Sequence, residues 1–387
     1  MNRPTTLQVS TALGLLLTLG CGGGESDAPA AAPVERHLDA AALAALPVDT
    51  LAAGRQVCLA TGYDACPLHF AMAVRLDDAE IALWEPGHPI GILHAQDSLP
   101  RALSQFGRPD APYPTVMAIR KHGNGYEVID VEAGGYGLVR LDADGAQVER
   151  TPLPHVGALA TMGYLAGEPV LQDFTGWQSG EPGMLTVRRL KAPTDSIGTL
   201  MLEVPVPWMQ GGSDAGPSPR PFFAASPLWT RLAGGDLVWS PGGAFRIERR
   251  APTVTGKVKW ILTGPGGPPV TAHDLDLREA TIREALSGVP LANEEFDQMR
   301  TRSDSTVPPL SGFVPLPDGR LLVMGPLAPS QSTTTWLVLD RDGAPVSRFD
   351  LDTRARVILA EGDSVLVHRP TASEPWEVIW MRLQRAN

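Results

Sequence analysis

Short apolar runs separated by Asp-Gly turns constrain this chain more than any other feature. Examples are 127–131 (EVIDV), 137–141 (GLVRL), 185–190 (LTVRRL), 257–262 (KVKWIL), 320–324 (RLLVM), 336–339 (WLVL), 364–367 (SVLV) and 377–381 (EVIWM). Gly, at 40 residues, and Pro, at 37, punctuate the runs throughout. That pattern predicts an all-β protein with many short strands. The phrase Leu141-Asp142-Ala143-Asp144-Gly145-Ala146 returns as Leu339-Asp340-Arg341-Asp342-Gly343-Ala344, and Leu316-Pro317-Asp318-Gly319-Arg320 is a close relative. Asp-Gly between strand-like runs predicts hairpins, in the type I′ form with positive φ at both central residues. A recurring strand-turn-strand unit predicts repeated antiparallel blades.

The carboxyl-terminal region carries the pattern most fully. In 313–323 (FVPLPDGRLLV), 336–343 (WLVLDRDG), 358–366 (ILAEGDSVL) and the Gly-Arg loop 106–110 (FGRPD), the chain resembles bacterial six-bladed β-propeller lipoproteins related to NHL-type propellers. The resemblance implies an all-β, six-bladed propeller in the cell envelope, and implies no reaction. Residues 155–270 break the repeat. One segment departs from the β pattern. Thr271-Ala272-His273-Asp274 is a capping box, which predicts a helix over 272–286 with Leu275, Ile282 and Leu286 on one face and Gly288 as the stop. A second helix is expected from Asn293 to Arg302, with Phe296 and Met299 inward. Together they form a small helical insertion near 271–302.

The amino terminus predicts location. Arg3, the apolar run 13–19 and Gly20-Cys21 have the layout of a secretory signal, and the run is too short to span a bilayer. A Cys after a small residue resembles the lipobox of bacterial lipoproteins, with Thr18 where Leu is usual. The resemblance implies lipidation at Cys21 and a durable membrane anchor, since several acyl chains hold where one does not. Gly22 is not the Asp that retains some lipoproteins at the inner membrane, which points to the outer membrane. Residues 22–36 (GGGESDAPAAAPVER) carry almost no large apolar groups and read as a tether, with a short helix in 38–46. The expected organisation is a signal peptide at 1–20, a flexible tether at 21–50 and a propeller at 51–387. Cys58 and Cys66 flank a turn-like Thr61-Gly62-Tyr63-Asp64. In an oxidising compartment they are expected to pair as a disulfide worth on the order of 2–3 kcal/mol.

A net charge of −11 with no basic run excludes a nucleic-acid partner. His88 and His94 could share a strand face, yet no third ligand lies nearby in sequence. Asp142-x-Asp144 and Asp340-x-Asp342 look like the start of a calcium loop. Position 12 of each loop would be Leu153 and Leu351 rather than Glu, so turns explain them. There is no G-x-S-x-G elbow, and the Gly-rich stretches lack a phosphate-loop Lys. Glu294, Glu295 and Asp297 read as a solvated helix face. The Trp residues clustered in the second half read chiefly as packing between strands, with a minority free to contact a sugar or peptide. No catalytic residue, metal ligand or cofactor is assigned. The expected function is a non-catalytic binding or scaffold module whose partners are a membrane, through the lipid, and an envelope protein or small ligand. The competing reading is a calcium-dependent, lactonase-like propeller hydrolase. That reading needs Asn ligands in the channel, and only Asn124 and Asn293 lie within the expected folded region.

Overall fold

A computed structural model of the protein describes residues 32–59, 72–85, 89–94, 97, 99–103, 115–132, 135–153, 161–165, 168–175, 182–192, 194, 198–209, 220–285, 293–371 and 375–385. Pro33–Asn387 form the folded unit. The chain enters through β1 (Val34–His37), a one-turn helix α1 (Ala40–Ala45) and β2 (Thr50–Leu59). Six sheets follow as six blades of a β-propeller, the count that the resemblance implied. Blade 1 is β3 (Met72–Arg75), β4 (Glu80–Trp84), β5 (Gly91–His94) and β6 (Arg101–Ala102). Blade 2 is β7 (Thr115–His122), β8 (Gly125–Glu132), β9 (Gly135–Leu141) and β10 (Gln147–Pro152). Blade 3 is β11 (Thr161–Leu165), β12 (Glu168–Thr175), β13 (Gly183–Arg189) and β14 (Thr199–Val206). Blade 4 is β15 (Leu228–Arg231), β16 (Leu237–Ser240), β17 (Arg246–Arg250) and β18 (Val258–Thr263). The insertion then supplies α2 (Ala272–Ala285) and α3 (Asn293–Thr301). Blade 5 is β19 (Gly312–Pro315), β20 (Leu321–Met324), β21 (Thr333–Leu339) and β22 (Pro345–Asp352). Blade 6 is β23 (Arg356–Glu361), β24 (Ser364–Pro370) and β25 (Trp376–Gln384), with β2 as its outer strand. The amino-terminal strand thus closes the ring against the last strand of the chain.

The core is divided into slices, one in each seam between neighbouring blades. Strand β20 shows why. Leu321 and Val323 face the seam with blade 4, while Leu322 and Met324 face the seam with blade 6. A strand buried on both faces needs apolar residues at consecutive positions, which gives a continuous run rather than an alternation. The run Glu80–Trp84 is buried at every position for the same reason.

The amino-terminal segment differs from the expectation of a tether to residue 50. Residues 34–49, within that expected tether, are stitched to the outer strands of blades 4 and 5. Strand β1 adds in parallel to β18, Val34 opposite Trp260 and His37 opposite Thr263. Leu38 then plugs into the seam of blades 4 and 5. Further on, Asp49 N–H donates to the Arg348 carbonyl at 2.7 Å and Arg348 N–H donates to the Pro47 carbonyl at 2.9 Å. Ser347 Oγ donates to the buried Asp49 carboxylate at 2.5 Å. The segment therefore straps blades 4 and 5 before β2 reaches blade 6. Sequence composition missed it because an edge strand is held by backbone bonds, and Val34-Glu35-Arg36-His37 stay largely exposed.

The Asp-Gly hairpins form, but not as type I′ turns. Gly145 N–H donates to the Asp142 carbonyl at 3.2 Å, so Gly is the fourth residue of its turn. Its φ of +87° is where glycine meets no steric cost. Asp142 Oδ1 accepts from the N–H groups of Asp144 and Ala146 at 2.9 and 2.8 Å. Pairing of β9 with β10 slips by one residue beyond it. That is a type I turn with a glycine bulge, selected by the Asp side chain bonding its own loop. Asp340 and Gly343 repeat it.

Candidate functional site

In a four-stranded up-and-down blade, the first and third hairpins share one face of the disc, here the lower one. The second hairpin and the link to the next blade share the upper face. Every seam is fastened at its lower end. Lys121 of blade 2 bonds Glu80 of blade 1, with Tyr126 OH 3.4 Å from both carboxylate oxygens. Tyr164 of blade 3 donates to Glu127 of blade 2 at 2.5 Å, with Arg120 stacked 4.4 Å over its ring. Arg231 of blade 4 bonds Glu168 of blade 3. Arg249 of blade 4 donates to the Arg341 carbonyl of blade 5. Arg320 of blade 5 donates to Asp363 and the Gly362 carbonyl of blade 6 at 3.1 and 2.8 Å. Arg75 of blade 1 pairs with Glu361 of blade 6. At each of these fastenings the cation meets an acceptor.

The upper mouth is different. Two long arms from separate elements line a cavity there, Arg220 in the link before blade 4 and Arg278 on α2, and Arg356 at the start of β23 lies within electrostatic reach of Arg278. The cavity measures about 180 Å³, and Phe222, Phe223, Leu228 and Leu310 also line it. Arg220 is fixed by a bond to the Ala224 carbonyl at 3.2 Å and by stacking 5.5 Å from the Trp208 ring. Arg356 is fixed by the carbonyls of Thr353 and Ala355, at 2.5 and 2.8 Å. Among the described residues no carboxylate pairs with Arg220 or Arg278. Arg220 and Arg278 are exposed and Arg356 is half-buried, yet the surrounding protein lowers the guanidinium pKa of all three from its usual value. Burial is the main cause, and the charge of Arg278 adds to it at Arg220 and Arg356. Asp352 acts on Arg356 in the opposite sense and is already engaged by Arg354 at 3.4 Å.

The helical insertion holds Arg278 in place, and its capping box forms as predicted. Asp274 accepts from Thr271 Oγ1 at 2.6 Å and Thr271 N–H at 3.0 Å, and its second oxygen accepts from Ser330 N–H of blade 5 at 3.0 Å. Phe296, Leu275, Ile282 and Met299 pack on Phe222, Phe223, Val307 and Ala328. Leu286 and Gly288 lie outside the described residues. Burial alone would raise the Asp274 pKa, but the bonds from Ser330 and Thr271 outweigh it and hold the carboxyl at about 2. A depressed carboxyl stabilises above its unfolded pKa and loses that stabilisation as pH falls through the folded value. Asp274→Ala is expected to cost about 1–2 kcal/mol at pH 7, as for a lost helix cap. The gap to wild type should narrow in melts taken from pH 4 towards pH 2. A gap independent of pH would refute the assignment.

Other sequence candidates fall elsewhere. Cys21, Cys66 and His88 lie outside the described residues. Cys58 is buried on β2, opposite Val378 in the closing blade. His94 ends β5 with Nδ1 3.6 Å from Glu80. The carboxylates of Asp142 and Asp340 are occupied by their own turns. Glu294 and Asp297 are exposed on α3, whereas Glu295 is half-buried and bonded. Among the described residues, no three His, Cys, Asp or Glu side chains converge as metal ligands. Of the Trp residues, Trp208 reaches the mouth, where its indole N–H donates to Ser226 Oγ at 3.3 Å. Trp229, Trp239, Trp260, Trp336, Trp376 and Trp380 pack in the seams. The three arginines were not singled out from sequence. They stand at 220, 278 and 356, and only ring closure brings them near each other.

No family profile matches the chain, and no curated protein sequence matches it. Many solved structures share its architecture. One is a DUF4221 family member from Bacteroides vulgatus, 10% identical over 88% of this chain and 99% of that one, with a TM-score of 0.44. Another is a PQQ-bound aldose sugar dehydrogenase from Streptomyces coelicolor, 10% identical over 88% and 100%, TM-score 0.46. A third is regucalcin, a calcium-binding protein from Agrobacterium tumefaciens, 13% identical over 86% and 96%, TM-score 0.42. The chain is thus a six-bladed β-propeller in its own right, established by its six sheets.

Proposed function

We propose that the protein is a lipid-anchored binding module of the bacterial cell envelope that takes a small anionic ligand at its upper mouth. The observation that carries the reading is the contrast between the two ends of the channel. Each cation named at the lower seams has a carboxylate partner: Lys121 in Glu80, Arg120 in Glu127, Arg231 in Glu168, Arg249 in Asp236, Arg320 in Asp363 and Arg75 in Glu361. Arg220 and Arg278 of the mouth lack one among the described residues. Guanidinium groups crowded in a concave site repel one another, and an anion relieves that repulsion while accepting forked bonds. Such groups hold charge and move no proton at ordinary pH, which favours binding over catalysis. The envelope location and the anchor rest on residues 1–21 and Cys21, and a Cys58–Cys66 disulfide belongs to the same reading.

The test is thermal melting of the full chain in detergent, at constant ionic strength, with acetate, sulfate or inorganic phosphate. A ligand that binds only the folded state at a hundredfold excess over Kd adds about 2.7 kcal/mol. At least one anion is expected to raise Tm by several degrees, and Arg278→Gln should abolish the rise without lowering the anion-free Tm. Melting that ignores every anion would overturn the reading.

A further inference from the structure

The mouth has a second character beside its charge. The guanidinium groups of Arg220 and Arg278 reach a cavity whose remaining wall is largely apolar: Phe222, Phe223, Leu228, Val307, Leu310 and Leu327. Its hydroxyls are those of Ser226 and Ser311, and Ser226 already accepts from Trp208. A bare inorganic anion would satisfy the arginines and leave this wall in water. The volume is also telling. An engineered apolar cavity of about 150 Å³ takes up benzene, and this one measures about 180 Å³. It holds one ring or a chain of similar bulk.

Resting on the anion reading of the mouth, we infer that the ligand is a small organic carboxylate with an apolar body the size of one aromatic ring. The carboxylate sits between Arg220 and Arg278, and the body fills the space bounded by Phe222, Phe223, Leu228 and Leu310. Both preferred contacts come from groups that are already placed. Arg220 is held by Trp208 and Ala224, and Phe222, Phe223 and Val307 of the apolar wall belong to a packed core. Little side-chain ordering remains to be done on binding, which favours affinity.

Calorimetric titration of the full chain with benzoate, acetate and benzyl alcohol separates charge from body. Burying a ring-sized apolar body contributes about 1.5–3 kcal/mol, so benzoate is expected to bind roughly ten- to a hundredfold tighter than acetate. Benzyl alcohol, which keeps the body and loses the charge, should bind at least about tenfold weaker than benzoate, because a charge-assisted bond is lost. Arg278→Gln should weaken benzoate and leave benzyl alcohol unchanged. Equal binding of acetate and benzoate would overturn the body assignment and leave the anion site standing. Equal binding of benzyl alcohol and benzoate would overturn the anion site itself. No binding of any of the three, with no anion effect on melting, would overturn both.

Discussion

Glu127→Ala is expected to lower the unfolding free energy by about 3–5 kcal/mol, the range for breaking a buried ion pair from one side. Glu127 is 1% exposed. It accepts from Arg120 at 2.5 and 2.8 Å and from Tyr164 OH at 2.5 Å, with Arg140 at 3.6 Å and His122 at 3.9 Å. Removing the carboxylate leaves Arg120 on β7 and Arg140 on β9, its cross-strand neighbours within blade 2, with no anion between them on the face that meets blade 3. Tyr164→Phe removes one bond and keeps the charges matched, so it should cost only about 1 kcal/mol. Burial first, and then the bond to Glu127, raise the Tyr164 pKa, so the phenol stays a donor across the physiological range. Urea unfolding of both variants, with the m-value checked for constancy, measures the difference. A loss under 1 kcal/mol for Glu127→Ala would show that the cluster is screened by water rather than buried.

Trp336→Ala should be comparably damaging, about 3–5 kcal/mol, for a wholly different reason. Trp336 is 2% exposed and stacks on Phe349, ring centroids 6.0 Å apart and planes 7° from parallel. It is the bulkiest side chain of the seam between blades 5 and 6, where Leu322, Met324, Val357 and Val365 also pack. Truncation opens a cavity between two rigid sheets that cannot collapse to fill it. Its indole N–H has no bonding partner among the described residues. Trp336→Phe therefore removes an unsatisfied donor along with part of the ring, and should cost less than its lost area suggests. Equal losses for Ala and Phe at this position would argue that the N–H carries the stability instead.

The blades with Asp-Gly turns were legible in the sequence because a turn leaves a local chemical mark. Blades 3 and 4 showed single strands, near 185–190 and 257–262, but were not legible as blades, since no such phrase joins their strands. Blade 1 is obscured differently: Ile81-Ala82-Leu83-Trp84 is buried on both sides and loses the alternation that identifies a strand. The helical insertion was legible because Thr271 and Asp274 stand three residues apart and bond each other. The polar fastenings were illegible because their partners are remote in sequence. Glu80 and Lys121 are 41 residues apart, and Arg75 and Glu361 are 286 apart. The arginine mouth fails for the same reason, being assembled from the link before blade 4, the inserted helix and the first strand of blade 6.

The amino-terminal strap has a mechanical meaning. A pull on the chain from the amino-terminal side of β1 is met first by that strand. A pull along β1 loads its parallel bonds to β18 in shear, so that they resist together instead of parting one at a time. Leu38 seated in its seam and Asp49 latched to Ser347 form the next points of resistance. Only after these yield would tension reach β2, the strand whose loss would open the ring. The chain therefore carries its strain relief upstream of its own clasp, much as a cable is clamped before its connector.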